Sequence, residues 1–89
     1  MKAVISVIGH DRVGILAAVA EQCARYQVNI IDVSQTVMQN MFTMIMLVDI
    51  GGISVKFGDF AELMQQFGAE IGMDVRVMHE DIFNAMHTV

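Results

Sequence analysis

At 89 residues, 55% of them apolar and with a mean hydropathy of +0.55, the chain has the size of one small domain and is too apolar to stay disordered. Ten acidic residues outweigh five basic ones for a net charge of −5, and Lys2, Arg12, Arg25, Lys56 and Arg76 are scattered, so neither nucleic acid nor an anionic membrane surface is an expected partner. No apolar run approaches the roughly 20 residues that span a bilayer, the opening segment alternates like a strand rather than a signal peptide, and Cys23 has no second cysteine to pair with, which together make the cytoplasm the expected compartment.

Residues 2–8 are apolar and β-branched and predict a first strand. Gly9-His10-Asp11-Arg12 reads as a turn. Residues 13–26 then predict a helix, with Val13, Leu16, Ala17, Ala20, Cys23 and Ala24 as the apolar stripe and Glu21, Gln22 and Arg25 opposite it. Asp11 stands where an N-cap is expected. Residues 29–39 predict a second strand, with Ile31, Val33 and Val37 on one face and Asp32, Ser34 and Thr36 on the other. Asn40 marks a tight turn into a third strand over 41–50, so these two form an antiparallel hairpin. The third strand is apolar on both faces, as a central strand is. Gly51-Gly52 breaks the chain, and Ser54 is positioned to cap a helix over 55–71. Phe60, Leu63, Met64, Phe67 and Ile71 form its stripe, Gly68 costs it about 1 kcal/mol relative to Ala, and Gly72 suits the C′ position. Residues 73–79 alternate as a fourth strand. Over 80–89, Ile82, Phe83 and Met86 recur at helical spacing behind the acidic pair Glu80-Asp81, which predicts a short terminal helix.

The order is β-α-β-β-α-β plus a tail helix. This is the ferredoxin-like arrangement of the α+β class: a four-stranded antiparallel sheet with two helices on one face. The other face needs a cover, either a second copy of the chain or the tail helix. A domain this small and this apolar is expected to gain from self-association.

The fold hosts many functions, and the turn after the first strand is more specific. The run Ile5-Ser6-Val7-Ile8-Gly9-His10-Asp11-Arg12-Val13-Gly14-Ile15-Leu16 resembles the opening of an ACT domain, which places Asp or Asn, then Arg-Pro-Gly and an aliphatic pair, between strand and helix. Asp11, Arg12, Gly14, Ile15 and Leu16 match, while Val13 stands where proline is usual. Val28-Asn29-Ile30 also looks like the family pattern. The resemblance covers residues 3–79, and the tail, 80–89, looks like that of small bacterial proteins made of a single ACT domain. It implies a non-catalytic regulatory domain that binds an amino acid at the interface of a homodimer. The ligand would sit between the turn of one subunit and the second strand of its neighbour, and the output would pass to a partner protein. The ligand-binding residues it implies are His10, Asp11, Arg12, Val13, Gly14, Ile15, Leu16 and Asn29.

Chemistry supports that assignment independently. Gly14 permits close approach to the helix start, the unpaired amides there suit a carboxylate, and Asp11 or Asn29 suits an ammonium group. Plainer roles stand beside these: Asp11 as a cap only, Arg12 as a solvated cation, Gly14 as a packing residue. Cys23 is expected in the core. His10, His79 and His87 match no zinc spacing, so neither a metal nor a cofactor is expected. The nine methionines read as adaptable core filler, with a repacking partner surface as the alternative. Asp32, Ser34 and Thr36 lack a nearby histidine and read as a solvated or dimer-facing surface. Two competing functions remain: an interaction module without ligand, and an acylphosphatase-like enzyme using Arg12.

Overall fold

A computed structural model describes residues 1–10 and 13–86. The elements are β1 (Lys2–His10), α1 (Ile15–Arg25), β2 (Asn29–Met38), β3 (Met41–Asp49), α2 (Phe57–Glu70), β4 (Asp74–His79) and α3 (Glu80–Met86). The strands form one sheet in the order β2-β3-β1-β4, with every neighbouring pair antiparallel. This is the expected ferredoxin-like α+β fold.

Register explains which side chains make the core. Residues directly opposite one another share a face. Ile5 lies opposite Met46 and Val77, and Val7 opposite Met44 and Val75. Those side chains, with Phe42 and Val48, meet Ile15, Val19 and Cys23 of α1 and Phe60 and Met64 of α2 in a single apolar cluster. β1 and β3 occupy the centre of the sheet; β3 alternates cleanly, as a one-sided core requires, and β1 does so apart from the buried Val4. β2 and β4 are edges.

The structure differs from the sequence reading in several details, the first being that β1 runs on through Gly9 and His10, which read as part of a turn. The buried stripe of α1 is Ile15, Val19 and Cys23, whereas Val13, Leu16, Ala17 and Ala24 are exposed. The alanines make this segment apolar on two faces, so periodicity alone selects the wrong phase. The helix also starts later, with Gly14 at the N-cap position and no side-chain cap. In β2 the register shifts between Ile30 and Asp32, a β-bulge that leaves Ile31 extra and 46% exposed. Ile30, not Ile31, therefore joins Val33 against the core. α2 begins at Phe57 behind Lys56 rather than after a Ser54 cap; the Ser54 amide instead donates to the Tyr26 carbonyl at 3.0 Å. Leu63, placed in its apolar stripe, is more than a third exposed.

Both long helices end in the same way. In α2 the Met73 amide donates to the Gly68 carbonyl and the Gly72 amide to that of Ala69, with Gly72 left-handed at φ 74°. In α1 the Val28 amide donates to Cys23 and the Gln27 amide to Ala24, with Gln27 at φ 59°. These are Schellman closures, and α1 makes its own without glycine. α3 carries Glu80 and Asp81 in its first turn and packs against β1 and β4. Val4 points to the face away from α1 and α2 yet is buried, because α3 folds back over that end of the sheet.

Candidate functional site

The β1–α1 turn is built by a strand that stops and a helix that starts without a cap. His10 closes β1, Val13 is fully exposed, and Gly14 sits in the left-handed region at φ 86°. A side chain rarely adopts that conformation. A Cβ placed on Gly14 meets nothing within 4 Å, so the space above it is open. The first intrahelical bond runs from the Ala18 amide to the Gly14 carbonyl at 2.9 Å. The amides of Ile15, Leu16 and Ala17 precede it and meet no acceptor among the described residues. Three donors and the positive end of α1 thus stand without a partner among the described residues, a setting that suits a carboxylate.

The expected site residues divide. Val13, Gly14, Ile15 and Leu16 lie together at the start of α1. The Ile15 side chain belongs to the core, so only its amide faces the turn. Asp11 and Arg12 lie outside the described residues. His10 is adjacent in the chain, but its partner across the sheet is Met41, one residue from the buried Phe42. Its side chain therefore points to the face without α1. Asn29 starts β2 opposite Asp49, which itself lies opposite Lys2. It stands at the far end of the sheet from the turn, about 27 Å away at about 3.4 Å per residue along β1. One protomer cannot bring Asn29 to Gly14.

Other features are plain from the geometry. Cys23 is fully buried, and desolvation pushes its thiol up to about 11, which suits a core residue. Among the described residues, no three His, Cys, Asp or Glu side chains gather where they could hold a metal ion, and no helix is long and apolar enough to cross a membrane. A groove of about 530 Å³ runs between α2 and the β4 edge, with Gly58, Ala61, Glu62 and Arg76 in its lining. The exposed apolar residues Val37, Met38 and Met41 gather at the tip of the β2–β3 hairpin. Sequence reasoning did not place Met38 and Met41 beside His10, because their adjacency depends on the β1–β3 register, a long-range pairing with no local signal.

Residues 2–78 match the model of the ACT domain. The chain belongs to the ACT domain family. ACT domains are typically regulatory and non-catalytic. A UPF0237 protein of Methanocaldococcus jannaschii is 47% identical over 88 residues, with 99% of this chain and 98% of the relative covered. An ACT domain protein from Streptococcus pneumoniae has a similar structure, with a TM-score of 0.82 at 34% identity, over 98% of each chain. The regulatory subunit of aspartate kinase from Thermus thermophilus shares the fold, with a TM-score of 0.63 at 24% identity, over 85% of this ACT domain and 49% of that chain.

Proposed function

We propose that this ACT domain is a non-catalytic sensor that binds an α-amino acid between the β1–α1 turn of one protomer and the start of β2 of a second copy, and passes the signal to a partner protein. The observation that carries the reading is the start of α1 at Gly14, which makes no side-chain cap and whose first three amides meet no acceptor among the described residues. In this reading those amides hold the ligand carboxylate. Asp11 and the second copy's Asn29 take the ammonium group, with Arg12, Val13 and Leu16 around them. The contribution of His10 is confined to its backbone.

Topology supports the need for two copies. β2 is a ten-residue edge strand with most of its side chains exposed. An isologous pairing of β2 with its copy runs antiparallel. It sets the copy's Asn29 near Met38, at the level of the turn. The exposed Ile31, Val37, Val13 and Leu16 supply apolar surface for such a contact. The regulatory subunit of aspartate kinase, which has this fold, is a precedent for output through another protein. Ligand bound across two chains shifts an assembly equilibrium by its differential affinity for the two states.

Calorimetry against the twenty amino acids at millimolar concentration tests the reading. A saturable heat with one or a few of them, lost in Asn29→Ala and in Asp11→Asn, is expected. Silence from all twenty would end the amino-acid reading and leave the interaction module, for which the full exposure of Val13 is the supporting observation. Native mass spectrometry of the purified chain reports oligomeric state and any retained small molecule together.

A further inference from the structure

The β2–β3 hairpin sets three side chains with soft or borderline donor atoms in a row. Gln39 and Asn40 form its two-residue turn, with φ of 51° and 70°, and this pairs Met38 with Met41. The β1–β3 register then pairs Met41 with His10. Residues paired in this way share a face, so two thioethers and an imidazole stand side by side on the face without α1 and α2. Neighbouring Cβ atoms are about 5 Å apart. Met38 is 68% exposed and Met41 46%, while Met44, Met46, Met64 and Met73 are buried. The hairpin pair is therefore not core filler. The next row on the same face is Thr36, Thr43, Ile8 and Asp74, and the Asp74 carboxylate there accepts from Arg76 Nε at 3.2 Å.

We propose that Met38, Met41 and His10 form a binding site for a soft monovalent cation of the Cu(I) or Ag(I) type. Thioether sulfur selects soft ions, and imidazole completes a low-coordinate set. Methionine is unbranched and has three rotatable bonds, so Met38 and His10 can lean toward an ion held over the central Met41. The net charge of −5 favours a cation. Cys23, the other soft donor, is buried on the opposite side of the sheet with its thiol held protonated, so it does not compete in the folded chain. The site is independent of the amino-acid reading. It uses the His10 side chain and the hairpin, neither of which the turn amides require.

The test is an anaerobic titration of the full chain, labelled with ¹³C at the methionine methyls, with Ag(I) and separately with Cu(I) delivered from its bicinchoninate complex. The Met38 and Met41 methyls and the His10 ring signals should shift together and saturate at one equivalent. The buried methionines should not move. Met41→Leu retains the volume at an exposed position and removes the central donor, and it should weaken binding by about tenfold or more while melting without metal is unchanged. His10→Gln should weaken it independently. If Met1 and Met86 respond with the same affinity as Met38 and Met41, or if Met41→Leu binds Ag(I) as tightly as the parent chain, the site does not exist.

Discussion

The two long helices are seated on the same sheet in different ways. α2 presses its backbone onto β4: a Cβ on Gly68 would lie 2.5 Å from Val75 Cγ2 and 2.8 Å from the Met73 carbonyl oxygen. Its end is closed by Gly72, a residue suited to the left-handed position. α1 buries Ile15, Val19 and Cys23, starts at Gly14, where an added Cβ would meet no described atom within 4 Å, and closes on Gln27, a residue that is strained there. Glycine thus serves opposite ends in the two helices. In α2 it removes a side chain so that two surfaces can meet. In α1 it allows a left-handed backbone bend at the helix start. α2 is seated closely on the sheet, whereas the first amides of α1 meet no acceptor among the described residues.

That contrast can be broken by substitution. Gly68→Ala gains about 1 kcal/mol of helix propensity but collides with backbone and with a branched side chain, neither of which swings away. The expected net loss is about 2 kcal/mol or more, read from urea midpoints. A neutral result would mean that α2 is not tightly seated. Gly14→Ala meets no atom and bears only the left-handed strain, so the loss should be about 1 kcal/mol. The same variant should lose the amino-acid heat, because the bend that aims the amides shifts. If stability falls and ligand heat persists, the turn is not the site. Gln27→Gly relieves strain at the end of α1 and should raise stability by about 0.5 kcal/mol, net of the entropy glycine adds to the unfolded chain; thermal melting detects it.

A further effect concerns pH. Burial moves the Cys23 thiol from an ordinary 9.0 to about 11. The unfolded chain releases that proton from about pH 9, and the folded chain holds it until about pH 11. Stability from this group is therefore complete below pH 9 and is lost as pH rises toward 11. Urea midpoints at pH 8 and pH 10.5 should differ more for the parent than for Cys23→Ala. Thiol labelling at pH 8 should proceed only as fast as the chain opens.

Much of this molecule is legible without coordinates, and the misses have specific causes. Residues 2–8 and 41–50 read as strands because β-branched and large apolar residues dominate them between turn signals. Gly72 reads as a helix terminus because few other residues accept its backbone angles. The phase of α1 was misread because Ala17, Ala20 and Ala24 look apolar but are too small to insist on burial. The bulge at Ile31 left no mark, since Ile30 and Ile31 are chemically identical and only the partner strand distinguishes them. Gly68 read as a weakness of α2, whereas its lack of a side chain is what allows Val75 and the Met73 backbone to approach. Among the candidate site residues, Gly14, Ile15 and Leu16 do lie at the start of α1, but Val13 precedes the helix and Val13 and Leu16 are exposed rather than in its buried stripe. The separation of Asn29 from them, and the outward turn of His10, were not legible.

Local chemistry alone determined the order of elements, the hairpin, the glycine bend before α1 and the likeness to ACT domains, because each depends on residues within a few positions of one another. Only the tertiary structure decided which face of α1 is buried, that His10 points away from that helix toward Met41 and Met38, and that Asn29 and Gly14 stand a sheet length apart. Those outcomes follow from strand register, and register is set by side chains that meet across strands distant in the chain.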